Sequence, residues 1–193
     1  MHLTINTHTL GKFGDEELYD FCRANKDLRV ERNSKGQIII MAPTGIETSF
    51  FNADILTELT LWNRSAKLGK VSDSNGGFTL PNQAMRVPDA AWISLERWEK
   101  VPEEEQKKFA HICPDFVIEL MSESDSLKEM QPKMEEWMEN GCRLAWLIYP
   151  KEQKTFVYRE NGVISEIPFE KPLSGENVLP GFQLDLAAIF DKQ

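Results

Sequence analysis

A strand–helix–strand pattern between residues 115 and 148 decides the fold class. It opens with Asp115-Phe116-Val117-Ile118-Glu119-Leu120-Met121 and closes with Arg143-Leu144-Ala145-Trp146-Leu147-Ile148. Short, nearly continuous apolar runs such as these are typical of strands buried on both faces. Residues 126–140 carry apolar side chains at helical spacing, and Gly141 after them favours a helix end. The unit predicts an α/β sheet that is covered by helices.

Two β-hairpins make this predicted sheet mixed rather than purely parallel. The first joins residues 28–32 to 37–42, and the second joins residues 154–159 to 163–168 through a turn ending in Gly162. The longest predicted helix covers residues 45–67, with Gly69 as its stop. The other predicted elements are a helix at 15–26, strands at 70–74, 77–80 and 86–94, a helical segment at 95–109 and a last helical turn at 184–191.

The length and composition predict one soluble domain over residues 1–193. The chain has 193 residues, of which 41% are hydrophobic and 27% charged, and single domains usually span roughly 100–200 residues. No apolar stretch approaches the roughly 18 residues that a membrane span requires, and the first residues lack a signal-peptide pattern. The three cysteines are odd in number and widely spaced, which argues against a disulfide framework. We therefore expect a cytoplasmic protein with no membrane association.

The net charge of −9 argues against binding to nucleic acid by bulk electrostatics. Residues 1–100 hold 12 basic and 13 acidic side chains, whereas residues 101–193 hold 10 and 18. Neutralising phosphates requires clustered Lys and Arg. Any nucleic-acid role must therefore depend on a local patch, for which the nearly neutral first half is the better candidate.

Two carboxylates interrupt apolar strand patterns. Strand alternation over residues 86–93 puts Asp89 on an apolar face, and alternation over residues 115–121 does the same for Glu119. An ionised carboxylate in such a place is costly unless it is paired, hydrogen-bonded or bound to a metal. Either acid alone would be an ion-pair or edge residue, but two on separate strands favour a shared cation.

Lys133 lies at the edge of the apolar stripe of the helix predicted at 126–140, where its ammonium can reach towards the sheet. The alternative is a side chain that only covers apolar surface while its head stays in water. Pro132 beside it predicts a kink or a restart of the helix. At about 100° per residue, the stripe consists of Leu127, Met130, Met134, Trp137 and Met138.

Glu47 is a fourth candidate with two interpretations. Thr44-Gly45-Ile46-Glu47 has the pattern of a capping box, in which the Thr44 hydroxyl and the Glu47 carboxylate satisfy backbone donors of the first helical turn. Glu47 also lies at the edge of the apolar stripe of the 45–67 helix, so it could instead face a site on the sheet.

The order and spacing of these fragments strongly resemble the Uma-type restriction endonucleases, a branch of the PD-(D/E)XK nuclease superfamily, over about residues 12–190. The resemblance implies a restriction-endonuclease-like mixed β-sheet flanked by helices and metal-dependent cleavage of DNA phosphodiester bonds. The matching fragments are Met41-Ala42-Pro43-Thr44-Gly45-Ile46-Glu47, Gly77-Phe78-Thr79-Leu80-Pro81, Arg86-Val87-Pro88-Asp89-Ala90-Ala91-Trp92, Pro114 to Ser122, Ser124-Asp125, Lys133-Met134-Glu135, Asn140-Gly141 and Ala145-Trp146-Leu147-Ile148.

The resemblance also implies roles for five residues. Asp89, Glu119 and the backbone carbonyl of Leu120 would hold Mg²⁺ or Mn²⁺, because these ions prefer hard oxygen ligands. Lys133 would act on the attacking water and offset developing charge, and Glu47 would support the metal or the water. The superfamily usually has a lysine two residues after the strand acid, where this chain has Met121.

The resemblance makes DNA the expected substrate and a homodimer the expected assembly, since cutting two strands favours two active sites. Two other functions use the same residues. A nuclease-fold module without catalysis would fit the acidic second half and Met121, and a metal-dependent hydrolase acting on another substrate would keep the same site. The best phosphate-contact candidates are Arg64, Lys67, Lys70 and Arg86.

Overall fold

The computed structural model describes residues 2–7 and 13–191. In its larger sheet β8 (Phe116–Leu120) and β9 (Leu144–Tyr149) are parallel neighbours, and the other neighbouring strands are antiparallel. The prediction of a mixed sheet is therefore confirmed, but of the two predicted hairpins only the second belongs to this sheet, and the first lies in a separate one. The six strands lie in the spatial order β11 (Ile164–Pro168), β10 (Lys154–Arg159), β9 (Leu144–Tyr149), β8 (Phe116–Leu120), β7 (Ala90–Ser94) and β4 (Gly69–Ser72).

Helices cover both faces of this sheet. On one face, α2 (Ile46–Ala66) and α6 (Leu186–Phe190) pack against the even-numbered side chains of β8. On the other, α5 (Leu127–Glu139) connects β8 to β9 and buries Met134 and Trp137 against the odd-numbered side chains. The alternation predicted for residues 115–121 is therefore confirmed. Within the described parts of the chain, no helix is both long and apolar enough to cross a membrane.

A second sheet of five short strands lies beside the first. One face of it packs on α1 (Asp15–Ala24) through buried Leu18. The other face carries the Arg29 and Glu31 side chains of its central strand, and this face borders the candidate site described below. The spatial order is β1 (His2–Ile5), β3 (Ile38–Met41), β2 (Arg29–Arg32), β6 (Met85–Arg86) and β5 (Phe78–Thr79).

The segment predicted as one strand at residues 86–94 is two strands in different sheets. β6 ends at Arg86 in the smaller sheet, and β7 begins at Ala90 in the larger one. Pro88 lies in the crossing between them, and proline has no N–H to continue a ladder. This crossing places Asp89 where the two sheets meet.

The long helix also differs from its prediction at both ends. Gly45 is the N-cap residue, so the Thr44 hydroxyl is not the cap that a capping box requires. The helix ends at Ala66, and Lys67 caps it in the left-handed region with φ of 57°. Gly69 is not the stop but the first residue of β4, where a Cβ atom would lie 2.3 Å from the carbonyl oxygen of Ile93.

The remaining predictions are close to the structure. The hairpin of β10 and β11 and the continuous α5 lie within one residue of their predicted bounds, and Pro132 lies inside α5 without ending it. The segment predicted as helical at 95–109 contains only two short helices, α3 (Leu95–Trp98) and α4 (Glu103–Gln106). Sequence analysis missed β1 and the small hairpin of β12 (Leu173–Ser174) and β13 (Gln183–Leu184).

Candidate active site

A cavity of about 600 Å³ lies between the smaller sheet, the start of α2, the end of β8 and α5. Asp89, Glu119, Leu120 and Lys133 all line it. These four are the residues to which the resemblance assigns metal binding and activation of water. The structure therefore brings together four of the five residues predicted from the sequence.

The apolar stripe of α5 positions Lys133 over Glu119. Trp137 is fully buried against the larger sheet, and its indole N–H donates to Glu119 Oε1 at 2.9 Å. One turn earlier, Lys133 Nζ lies 2.9 Å from Glu119 Oε1 and 3.0 Å from Oε2. Met121 is buried in the core on the same side of the sheet. The ammonium that reaches Glu119 therefore comes from the helix and not from the strand.

Glu31 of β2 is a second buried carboxylate in contact with Lys133, and sequence analysis did not identify it. Its Oε1 atom lies 3.1 Å from Lys133 Nζ and accepts the backbone N–H of Val87 at 3.0 Å. Its Oε2 atom accepts from the Arg86 guanidinium at 2.8 Å. Arg86 also donates to Glu136 of α5 at 2.5 Å. This chain of ion pairs links the smaller sheet to the helix that carries Lys133.

Asp89 is held more loosely than Glu31. Its Oδ2 atom accepts the backbone N–H of Leu120 at 2.8 Å, which fixes the carboxylate beside the end of β8. Its Oδ1 atom lies 3.3 Å from the guanidinium of Arg29, a side chain that is 36% exposed at the cavity. A long contact to an exposed arginine contributes little. Asp89 can therefore exchange this partner for another cation at small cost.

Glu119 and Glu31 have opposite pKa shifts although both are buried. Burial, with the negative charges of Asp89 and Glu31, outweighs Lys133 and raises the pKa of Glu119 to about 7. Burial acts on Glu31 in the same direction, but Lys133 and Arg86 outweigh it and lower the pKa of Glu31 to about 2. Burial disfavours the charge of Lys133, yet the two glutamates raise its pKa above the usual range. Lys133 is thus a stable ammonium, and it outweighs the effect of burial at Glu31, together with Arg86, but not at Glu119.

The oxygen donors near Asp89 and Glu119 fit a magnesium ion. Mg²⁺ is commonly held by one or two carboxylates and keeps several of its waters, and Leu120, whose carbonyl is the third predicted ligand, lines the same cavity. Burial, and after it the negative charges of Asp89 and Glu31, raises the pKa of Glu119, and a bound cation would favour its ionised form. Among residues 2–7 and 13–191, no three His, Cys, Asp or Glu side chains group as a metal site. Two carboxylates are the kind of oxygen donors that Mg²⁺ uses, whereas a closed zinc site takes four ligands, chiefly Cys and His.

Comparison with known proteins identifies the family. The model of the Uma2 family, described as "Putative restriction endonuclease", matches residues 15–187, which is most of the chain. The chain belongs to the Uma2 family. No curated protein sequence matches it.

A solved structure supports the fold of this Uma2 protein. The crystal structure of "a putative nuclease belonging to DUF820" from Anabaena variabilis is 20% identical to it and superposes with a TM-score of 0.69. The match covers 84% of this chain and 89% of that chain. At this identity the likeness shows the fold alone, and it confirms the prediction of a restriction-endonuclease-like mixed α/β architecture.

The structure does not bring Glu47 to the other site residues of this Uma2 protein. Glu47 is exposed in the first turn of α2, and its neighbours Thr44 and Thr48 line the cavity instead. The stripe that orients α2 on the larger sheet contains buried Ile55 and Leu59, and Glu47 lies off it. A catalytic role for Glu47 stays a prediction.

The structure also changes which basic residues are candidates for contacting phosphate. Arg86 lines the cavity, but its guanidinium is held by Glu31 and Glu136, so it is not free to bind a phosphate. The other three candidates are exposed near the end of α2 and the start of β4, away from the cavity lining. Arg29 and Lys35 line the cavity instead. Both lie in the charged hairpin of β2 and β3. Only the position of this hairpin beside the cavity distinguishes them from ordinary surface residues.

Proposed function

We propose that this Uma2 protein is an Mg²⁺-dependent endonuclease that hydrolyses phosphodiester bonds of DNA. Family membership supports the nuclease class. The observation that carries the metal-dependent mechanism is the pair of carboxylates, Asp89 and Glu119, that share one cavity with an ammonium 2.9 Å from Glu119.

Asp89, Glu119 and the carbonyl of Leu120 are the proposed metal ligands. When bound, Mg²⁺ would polarise the scissile phosphate and lower the pKa of a coordinated water. The Leu120 N–H that holds Asp89 and the Trp137 indole that holds Glu119 position these two carboxylates before any metal arrives. Such fixed positions reduce the reorganisation needed during the reaction.

The proposed role of Lys133 is to orient the attacking water and to stabilise the negative charge that develops on the phosphoryl oxygens. Its pKa is raised by Glu119 and Glu31 against the effect of burial, so it stays protonated near neutral pH. A protonated lysine donates hydrogen bonds and cannot remove a proton. The geometry thus favours electrostatic stabilisation over general-base catalysis for this residue.

Basic residues at the cavity support DNA as the substrate, although the net charge of the chain is negative. Arg29 and Lys35 lie at the cavity wall formed by the smaller sheet, and either could contact the backbone phosphates beside the cut. We further propose a homodimer, because two sites are needed to cut both strands at once. Sedimentation of the purified protein, alone and with a DNA duplex, tests the dimer separately from the chemistry.

A plasmid-cleavage assay tests the proposed function. We expect the wild-type protein to nick or linearise supercoiled DNA with Mg²⁺ or Mn²⁺ and to stop when EDTA is added. Asp89→Asn should remove the activity, whereas Glu129→Gln should keep it, because Glu129 lines the same cavity but hydrogen-bonds only to Ser126 within the described contacts.

The contradicting results point to the two other functions. Binding of DNA without any cleavage, across varied duplexes and metals, would indicate a module that has lost catalysis. Metal-dependent hydrolysis of bis(p-nitrophenyl) phosphate without cleavage of any DNA would indicate another phosphodiester substrate.

A further inference from the structure

Lys133 lies between two carboxylates that differ in how firmly they are held. Its ammonium is within 3.1 Å of Glu31 and within 3.0 Å of both oxygens of Glu119. The lysine side chain is only 15% exposed. An ammonium in such a place is strongly disfavoured unless it keeps an anionic partner.

Glu31 is not available as a metal ligand. The Val87 N–H and the Arg86 guanidinium hold its two oxygens, at 3.0 and 2.8 Å, independently of Lys133. Its side chain is 3% exposed. Glu31 is therefore a fixed anion whose position does not depend on whether a metal is bound.

Lys133 competes with a metal for Glu119. The ammonium contacts both of its oxygens, and the Trp137 indole N–H also donates to Oε1. A divalent cation and an ammonium that contact the same carboxylate oxygen repel each other. Binding of a metal at Glu119 therefore favours a shift of Lys133 away from at least one of these contacts.

We propose that Glu31 is a positioning residue that retains the Lys133 ammonium when a divalent cation takes Glu119. Lys133 contacts both oxygens of Glu119 while the metal is absent, and it shifts onto Glu31 when the metal binds. Glu31 thereby lowers the cost of metal binding and keeps the ammonium beside the attacking water. This inference rests on the proposed metal-dependent function.

A double-mutant cycle measured by calorimetric titration with MnCl₂ tests this role. In Glu31→Gln the displaced ammonium has no anionic partner, so we expect Mn²⁺ to bind roughly tenfold more weakly. Lys133→Met removes the competing cation and should bind Mn²⁺ more tightly than the wild type. In Lys133→Met, adding Glu31→Gln should change the affinity by less than about twofold.

Glu136→Gln is the matched control. Glu136 binds the same arginine as Glu31, carries the same charge and lines the same cavity, but its recorded partners are Arg86 and Asn82 and not Lys133. It should bind Mn²⁺ within about twofold of the wild type, since a more distant charge is partly screened. Equal weakening by Glu31→Gln and Glu136→Gln would show a general charge effect and overturn the proposal.

The other outcomes separate this inference from the proposed function. No Mn²⁺ binding by the wild type would overturn both. Normal binding with Glu31→Gln unchanged, or with the same loss in the Lys133→Met background, would overturn the role of Glu31 alone.

If Glu31→Gln fails to fold, lysine-ammonium NMR of the wild type decides. The Lys133 signal, assigned by its loss in Lys133→Arg, should remain visible at saturating Mg²⁺, because an ammonium hydrogen-bonded to Glu31 exchanges its protons slowly. Loss of the signal through fast exchange would contradict the proposal.

Discussion

Glu31 of the smaller sheet and Glu119 of the larger sheet are equally buried, and both contact Lys133. Their pKa values nevertheless move apart, to about 2 for Glu31 and about 7 for Glu119. Glu31 has Arg86 and a backbone N–H in addition to the shared lysine, whereas Glu119 has only the Trp137 indole and faces the negative charge of Asp89. Burial alone does not decide the state of a carboxylate; the number and sign of its partners do.

The same comparison separates a structural carboxylate from a functional one. At the cavity, Arg86 and Lys133 link three carboxylates, Glu31, Glu119 and Glu136, into one chain of ion pairs. Asp89 pairs separately with Arg29. The contacts of Glu31 outweigh its burial, whereas those of Glu119 do not. A buried carboxylate with a raised pKa in a cavity is a functional-site signal.

Replacing the two glutamates in turn should have very different effects on cleavage. Glu119→Gln removes a proposed metal ligand and should lower the rate by roughly 10³-fold or more. Glu31→Gln leaves the ligands in place and should lower it by only about 10-fold. Plasmid-cleavage rates at saturating Mg²⁺ measure both. Equal losses would remove the distinction between ligand and positioning residue.

Removing the arginine that holds Glu31 should destabilise the fold. Arg86→Met leaves Glu31 and Glu136 without their guanidinium partner, and breaking a buried ion pair in this way costs about 3–5 kcal/mol. Ile118→Val in the larger sheet is the comparison, at about 1 kcal/mol. Urea unfolding at pH 7 measures the two free energies. A loss from Arg86→Met no larger than that from Ile118→Val would show that the charged network does not hold the smaller sheet.

Lys133→Met should reduce cleavage by about 10²-fold while binding of metal is retained or strengthened. The physical reason is the loss of an ammonium at the attacking water without the loss of any oxygen ligand. Lys128→Met is the control, because Lys128 lies exposed on the same helix. If both substitutions left the rate unchanged, Lys133 would only be a counter-ion for Glu119.

The two glutamates should give the free energy of unfolding opposite dependences on pH. Glu119 keeps its proton in the folded state up to about pH 7, so its contribution makes stability fall as pH rises from 4.5 to 7. Glu31 is ionised down to about pH 2, so its contribution is present above 4.5 and is lost as pH falls below that value. Urea unfolding at several pH values should show the first dependence removed in Glu119→Gln and the second in Glu31→Gln. An unchanged slope in either variant would contradict the assigned shift.

Glu47→Gln should have the smallest effect. Glu47 is exposed and off the cavity lining, so we expect the cleavage rate to change by less than about threefold, as for most surface substitutions. A loss approaching that of Glu119→Gln would support the role that the family resemblance implies for Glu47 and would require α2 to bring it into the site.

The larger sheet could be predicted from the sequence because its signals are local. The apolar runs of β8 and β9 and the stripe of α5 lie within 35 residues, and they were sufficient to place Glu119 and to aim Lys133 at it. Trp137 was identified as a core residue, but its hydrogen bond to Glu119 has no signature in the pattern.

The smaller sheet could not be predicted in the same way. β2 reads Arg29-Val30-Glu31-Arg32, and three charges in four residues normally indicate a solvated hairpin. Glu31 is buried by contacts with residues far away in sequence, such as Arg86, which is 55 residues away. The sequence pattern does not reveal this contact, because apolar residues on both sides of Pro88 give β6 and β7 the pattern of one continuous strand.

Anomalous diffraction from crystals soaked in Mn²⁺ tests the central claim most directly. The account predicts an anomalous peak bound by the carboxylates of Asp89 and Glu119 and the carbonyl of Leu120, with Lys133 shifted onto Glu31. A saturating soak that gives no peak in the cavity, or a peak held by other residues while Lys133 stays on Glu119, would contradict it.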